Sequence, residues 1–187
     1  MDPHSDFDSL ISQGLEASQE GRAEAALAHF ARAADLAPAS GVPHFLIGSE
    51  HAAAGQQEAA EAAFASAVLL APEFTLARYQ LGLLQFSSGR AAMALLTWVP
   101  LLEAPEGDAL GHYARGFAAL SKDELAAALG QFRAGLACPH GNPAVAADIR
   151  RVVDAVEALC AGASVPPEAA QDNLSQVLLG AYSGGLH

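Results

Sequence analysis

Small, apolar and aromatic residues recur along this chain at one fixed interval, the distance from Gly14 to Gly48. A glycine opens each copy of the pattern, an alanine follows it by twelve positions, and an aromatic residue follows the alanine by four. The four copies carry these residues at Gly14, Gly48, Gly82 and Gly116, at Ala26, Ala60, Ala94 and Ala128, and at Phe30, Phe64, Trp98 and Phe132. Because three columns keep the interval through four copies, the pattern predicts a repeated structural unit that stacks on its neighbours.

Each unit is predicted to be a pair of helices joined by a short turn. In the first copy the apolar spacing predicts helices over about residues 8–19 and 22–36, with Gly21 at the turn between them. The second copy repeats this arrangement one interval later. Pro38 and Pro72 follow the second helix of their copies, since proline cannot continue the hydrogen-bond ladder of a helix.

The third and fourth copies depart from the pattern. Pro100 lies inside the second helix of the third copy, where it is predicted to kink the last turn. In the fourth copy Asp123 replaces the turn glycine. Ser121 and Glu124 have the spacing of a capping box at the start of the next helix. We therefore expect the turn to persist without glycine.

These glycine, alanine, aromatic and proline columns resemble the tetratricopeptide repeat (TPR) family, whose helix-turn-helix unit is about 34 residues long. The resemblance covers about residues 7–140. It implies an all-α fold, a right-handed superhelix (solenoid) of TPR helix-turn-helix repeats with a concave binding surface. The four repeats are placed at residues 7–40, 41–74, 75–108 and 109–142.

Other segments must close the stack, because the periodicity ends after the fourth copy. A capping helix is predicted over residues 143–161, where Asn142 and Pro143 provide a good start and apolar residues share one face. A second amphipathic helix is predicted over residues 168–182. It either caps the stack or occupies the groove, and the sequence leaves both arrangements open. The chain, residues 1–187, is thus expected to be a single TPR domain.

Composition and charge limit the classes of partner. The formal net charge is -12, and the nine Lys and Arg residues are scattered, so the clustered basic face that nucleic acid requires is absent. No apolar run approaches the roughly 18 residues of a membrane-spanning helix. The acidic start of the chain lacks the pattern of a secretory signal. We therefore expect a cytoplasmic protein with no nucleic-acid partner and no membrane insertion.

Residues with metal-binding or catalytic chemistry do not form a recognisable site in the sequence. Cys138 and Cys160 are isolated and lack CxxC spacing. His44 and His51 share a helix face, but neither they nor His112 have the further ligands that a metal needs. No phosphate-binding loop, nucleophile elbow or zinc-protease motif is present. The sequence thus predicts a protein that is not an enzyme and has no metal and no cofactor.

The resemblance implies that a partner peptide binds the first helix of each repeat, on the side that faces the inside of the superhelix. Eight residues at these inward positions are predicted to form a peptide-binding groove: Phe45, Ser49, Tyr79, Leu83, Phe86, Tyr113, Phe117 and Leu120. Two alternatives stay open for this row of eight residues. They either pack as core between adjacent helices or form a surface that binds a partner. Because the three repeating columns already supply a core, we expect the row to need another cover.

These features predict a non-enzymatic adaptor or scaffold that binds an apolar peptide or helix of a partner protein in its concave groove. Some TPR proteins hold a carboxylate with Lys, Arg and Asn at inward positions, and this chain lacks those donors, so that subclass is excluded. Two alternatives stay open. One is a dedicated bacterial secretion-type chaperone that masks a hydrophobic client, and the other is a self-assembling TPR protein, that is, a homo-oligomer.

Overall fold

A computed structural model describes residues 3–161, and within this range the secondary structure is entirely helical. The helices in chain order are α1 (Pro3–Gln19), α2 (Ala23–Leu36), α3 (Gly41–Ala53), α4 (Gln57–Leu70), α5 (Thr75–Ser87), α6 (Ala91–Leu102), α7 (Ala109–Leu120), α8 (Leu125–Leu136) and α9 (Pro143–Cys160). The all-α class predicted from the repeats is therefore confirmed.

The described chain falls into two compact units, residues 3–81 and 82–161, and α5 runs across the boundary between them. In the first unit α1 pairs with α2, α3 pairs with α4, and α2 packs on α3. Its core holds Ala17, Ala26 and Phe30, with Leu46 and Ile47 packed against them. Residues from three helices thus share one apolar cluster, which neither hairpin could bury alone.

In the second unit α6 packs on α7, α7 pairs with α8, and α8 packs on α9. Helix α9 occupies the predicted capping span and buries its apolar face, including Val145, Ile149 and Val156. Its start is fixed by the Asn142 side chain, which accepts hydrogen bonds from the backbone amides of Ala144 (2.9 Å) and Val145 (3.3 Å). The amphipathic segment predicted over residues 168–182 lies outside the described residues. The repeat boundaries and the single-domain assignment stay predictions.

Each hairpin brings a glycine of its first helix against the aromatic ring of its second. A Cβ atom added at Gly48 would lie 2.7 Å from Cδ1 of Phe64, closer than real Cβ atoms come to a neighbour. The same overlap would arise at the other three positions of the column, between Gly14 and Phe30, Gly82 and Trp98, and Gly116 and Phe132. The fixed interval of glycine and aromatic residues therefore reflects one contact, between glycine and ring, that is repeated in every hairpin.

The turns between paired helices need a left-handed backbone. Gly21, Gly55 and Gly89 have φ values of 73°, 71° and 76°, a region that glycine enters without steric cost. Asp123 takes the same place in the fourth hairpin with φ of 59°, and aspartate is one of the few other residues that enter this region. The expected persistence of the turn without glycine is thus explained by Asp123 itself.

The capping box predicted at Ser121 and Glu124 is wrong. Ser121 is the C-cap residue directly after α7, and its hydroxyl donates a hydrogen bond to the carbonyl of Ala118 at 2.7 Å. Glu124 precedes α8 directly and makes no side-chain capping hydrogen bond. The reason is that the turn at Asp123 already sets the direction of the chain, which leaves Ser121 at the end of the preceding helix.

In the third copy, α6 continues past Pro100 to Leu102.

Within the described residues no helix is both long and apolar enough to cross a membrane.

The contact between glycine and ring makes a matched pair of substitutions informative. Gly116→Ala should lower the free energy of unfolding by about 1 to 3 kcal/mol, because its Cβ would overlap the Phe132 ring. Gly130 is exposed on α8, and a Cβ added there meets nothing within 4 Å. Gly130→Ala should therefore raise the free energy of unfolding by up to about 1 kcal/mol through helix propensity. Urea unfolding of the two variants measures both effects. Equal changes in the two variants would contradict the packing argument.

Candidate functional site

Most of the eight residues predicted to form a groove are buried. The six buried members are Ser49, Tyr79, Leu83, Tyr113, Phe117 and Leu120, none of them more than 7% exposed. Phe45 and Phe86 are half-buried. The expectation that this row needs another cover is therefore corrected for the six, since their side chains are already enclosed. Whether members of the row bind a partner stays a prediction.

Phe117 shows why the row became part of the core. Its ring centroid lies 5.2 Å from that of Phe86, 5.6 Å from that of Trp98 and 5.0 Å from that of Phe132. The Phe132 pair has an edge-to-face arrangement, which is favoured by the ring quadrupoles. The residue that was expected to face a partner thus completes an aromatic cluster inside the second unit.

Tyr113 is enclosed by a second contact between glycine and ring. Its ring lies over Gly135 of α8, where an added Cβ would stand 2.7 Å from the ring atom Cδ1. Burial raises the pKa of the Tyr113 hydroxyl above its usual value, Cys138 raises it further, and Arg150 lowers it. The tyrosine thus stays neutral at physiological pH and acts as a core residue.

Phe45 and Ser49 lie together on α3 in the first unit. The Ser49 hydroxyl donates a hydrogen bond to the Phe45 carbonyl at 3.0 Å, so it is satisfied within its own helix. The Phe45 ring lies 5.0 Å from that of Phe74 and 5.7 Å from that of Phe64, measured between centroids. One side of Phe45 is therefore fixed by aromatic neighbours while part of the ring remains accessible.

Among the described inward positions, the exposed apolar side chains lie on α1 and α3. Leu15 and Val42 are each 40% exposed, and Ile11 and Phe45 are half-buried. We call these four residues the apolar row. Ile11 and Leu15 stand one repeat interval before Phe45 and Ser49, and Val42 lies about one helical turn before Phe45. The predicted site followed the aromatic pattern of the later repeats and did not include these three residues.

The two helices that carry the apolar row contain acidic residues and no Lys or Arg. The acidic residues are Asp6, Asp8, Glu16 and Glu50. The Ser18 hydroxyl of α1 donates a hydrogen bond to the Glu50 carboxylate of α3, which ties the two helices to each other. The candidate site is thus an apolar strip on two joined helices with an acidic margin.

His112 makes polar contacts that hold the structure together. His112 is buried, with Nδ1 at 2.9 Å from Oε1 of Gln131 and Nε2 at 2.6 Å from the Glu106 carbonyl. The Arg115 guanidinium donates to the carbonyls of Leu102 (3.2 Å) and Ala104 (3.1 Å), which fixes the loop before α7. Among the described residues no group of three or more His, Cys, Asp or Glu side chains could hold a metal ion.

A second exposed apolar surface lies on α6. Met93, Leu96 and Val99 are 49%, 69% and 43% exposed, at successive steps of three along the helix, and α6 contains no charged residue from Ala91 to Leu102. We call these three residues the α6 face. The equivalent positions of the other second helices hold smaller or charged residues: Ala25, Ala28, Ala31, Ala59, Ala62, Ala65, Ala127, Gly130 and Arg133. The large apolar side chains are therefore particular to this helix.

No protein-family model matches this chain, and no curated protein matches it. Solved structures that are similar in fold include two of MamA. A crystal structure of MamA is 22% identical, with 70% of this chain and 76% of that chain covered and a TM-score of 0.57. The MamA RS-1 ArsTM double mutant is 14% identical, with 94% of each chain covered and a TM-score of 0.61. At these identities the likeness shows the fold alone, a TPR-like solenoid of helical repeats.

The burial of Phe117 changes what its substitution should do. Phe117→Ala should lower the free energy of unfolding by about 3 to 5 kcal/mol, because it empties the centre of an aromatic cluster. Leu15→Ala, which removes a side chain that is 40% exposed, should cost about 1 kcal/mol or less. Thermal or urea unfolding of the two variants provides the measurement. A Phe117→Ala protein as stable as the Leu15→Ala protein would restore the binding-surface reading of the row.

Proposed function

We propose that the protein is a non-enzymatic interaction module, an adaptor that binds an apolar helix or extended segment of a partner protein on the apolar row. The observation that carries the proposal is the exposure of Leu15 and Val42, 40% each, at inward positions of neighbouring helices. Helical repeat proteins use such surfaces for recognition, because stacked units present equivalent positions side by side. The cytoplasmic location expected from the sequence remains part of this proposal.

The apolar row suits a helix-in-groove contact. Leu15 lies four residues after Ile11, and Phe45 lies three after Val42, so each helix offers two apolar side chains on one face. Large side chains that are partly buried are already restricted in the free protein, so they lose little further conformational freedom when a partner binds. The aromatic contacts of Phe45 hold its ring in place and leave an accessible edge for a partner anchor.

The eight residues predicted from the sequence have unequal parts in this proposal. Phe45 would touch the partner directly, and Phe86 keeps some accessible surface for a contact of its own. The six buried members are enclosed within the fold and would not touch a partner on the apolar row. A chaperone that masks a hydrophobic client would need the same kind of surface, and that role stays a prediction.

Binding to the apolar row is tested with a synthetic amphipathic helix as the probe. The peptide has Leu anchors at i, i+3, i+4 and i+7 and Gln on its polar face. Leu15→Ser and Val42→Ser should each weaken its binding by about 1 to 3 kcal/mol if they are hot spots. Isothermal titration measures the affinity, and circular dichroism checks the fold.

Leu69→Ser is the matched control, because Leu69 is 80% exposed on α4, the second helix of its hairpin. This variant should bind the peptide as the unchanged protein does. Equal binding by the Leu15→Ser, Val42→Ser and unchanged proteins would contradict the assignment of the row.

The α6 face favours a second candidate function, association of copies of the chain. A contiguous exposed apolar strip without charge is uncommon on a solvated helix and marks an interaction surface. A two-fold pair of α6 helices would bury the strip of each copy against the other. Because the strip is short, such a pair would be weak and would depend on concentration.

Association through α6 predicts a concentration-dependent mass. Light scattering over a dilution series should show the average mass of the unchanged protein rise with concentration. Leu96→Glu should keep the mass at that of one chain, because it places a carboxylate in the centre of the α6 face. Leu69→Glu, at a leucine that is 80% exposed on α4, is the control and should associate normally. The same mass for all three proteins would exclude this surface.

A further inference from the structure

We propose that the partner segment of the apolar row is basic, an amphipathic helix whose apolar anchors are flanked by Lys or Arg. This inference rests on the proposed function, since it names the chemistry of the segment that the row would bind. It excludes neutral and acidic segments as preferred occupants. The argument combines the exposed row with the distribution of charge around it.

The helices that carry the row are acidic at equivalent positions. Glu16 and Glu50 are separated by one repeat interval, as Gly14 and Gly48 are, so they take the same place on α1 and α3. Asp8 is exposed and lies seven residues before Leu15, two helical turns along the same face. A partner helix that lies on Leu15 and Val42 would therefore pass beside carboxylates on both supporting helices.

The first unit as a whole is strongly acidic. Between residues 6 and 81 the sequence has ten Asp and Glu and only three Lys and Arg. The second unit is close to balanced, with eight acidic and six basic residues between residues 82 and 161. The negative field is thus concentrated on the unit that carries the apolar row.

The three Lys and Arg residues of the first unit lie in the sequence outside α1 and α3. Arg22 follows α1 in the turn and forms an ion pair with Glu20. Arg78 on α5 donates a hydrogen bond to the Pro72 carbonyl at 3.0 Å. Arg32 of α2 lines a crevice between α1 and α2 on the side of Leu10.

A basic segment is the occupant that satisfies both parts of this surface. A neutral apolar helix would cover Leu15 and leave Asp8 and Glu16 at its edge with less water and no partner. An acidic helix would add like-charge repulsion at short range. Lys or Arg beside the anchors would meet the carboxylates at the rim, where complementary charge raises the association rate and selects the partner.

Three versions of the synthetic amphipathic helix test the inference, with identical Leu anchors and with Lys, Gln or Glu on the flanks. At about 0.05 M salt the Lys peptide should bind about tenfold more tightly than the Gln peptide, and the Glu peptide most weakly. The advantage of Lys should shrink at about 0.5 M salt, since rim charges are screened. A fourth peptide keeps the Lys residues and scrambles the anchors, and it should bind poorly.

A pair of variants with equal charge locates the effect. Glu16→Gln should reduce the affinity for the Lys peptide about two- to fivefold and leave that for the Gln peptide unchanged. Glu58→Gln removes the same charge from the first turn of α4. It should leave the affinity for the Gln peptide unchanged and reduce that for the Lys peptide only by the small long-range attraction of one charge. If Glu16→Gln and Glu58→Gln reduced the affinity for the Lys peptide equally, the carboxylates beside the apolar row would have no local role in binding.

The outcomes separate this inference from the proposed function. If the Lys and Gln peptides bind equally and both lose affinity in Leu15→Ser and Val42→Ser, the row binds apolar segments but the basic partner is wrong. If Lys-peptide binding is unchanged in those two variants, the proposed function fails and the inference fails with it. If the scrambled Lys peptide binds as well as the intact one, the attraction is non-specific and the inference is overturned.

Discussion

The contact between a glycine and an aromatic ring is the constraint on which the rest of this structure depends. In each hairpin the missing Cβ lets the ring of the second helix lie against the backbone of the first, as Phe64 does on Gly48. The distance between the two helices is thereby fixed, and the alanine column fills what remains. Because every hairpin has the same spacing, all four share this internal packing, and other surfaces are free to vary.

The sequence was sufficient to predict the parts of the fold that follow from this contact. Helix pairs, turn glycines and the capping helix α9 come from local spacing and local backbone chemistry. The error at Ser121 and Glu124 has the same local origin, since a spacing that suits a capping box was read without the conformation of Asp123 between them. Aspartate adopts the left-handed conformation less often than glycine does. The sequence alone therefore favoured a capping box over a left-handed turn at Asp123.

The site could be predicted less well, because exposure depends on partners distant in sequence. Leu15, Ser49, Leu83 and Phe117 occupy one column of the repeat, yet Leu15 is 40% exposed while the other three are 5%, 5% and 1% exposed. Phe117 is enclosed by Phe86, Trp98 and Phe132, rings whose positions are set by packing. Periodicity identifies equivalent positions on a helix but not what stands opposite each of them.

Function in such a chain is therefore best sought where equivalent positions differ. The glycine, alanine and aromatic columns that the fold needs are nearly the same in all four repeats. A large apolar side chain at an exposed position outside these columns contributes nothing to the core, so the fold does not explain its presence. Large apolar residues replace alanine and glycine on the α6 face, and exposed leucine and valine stand beside carboxylates on α1 and α3. The two surfaces differ in charge: the α6 face is neutral and suits an equally neutral surface, whereas the apolar row has an acidic margin and favours a basic partner. Their difference in charge would let one small helical protein keep two interactions apart.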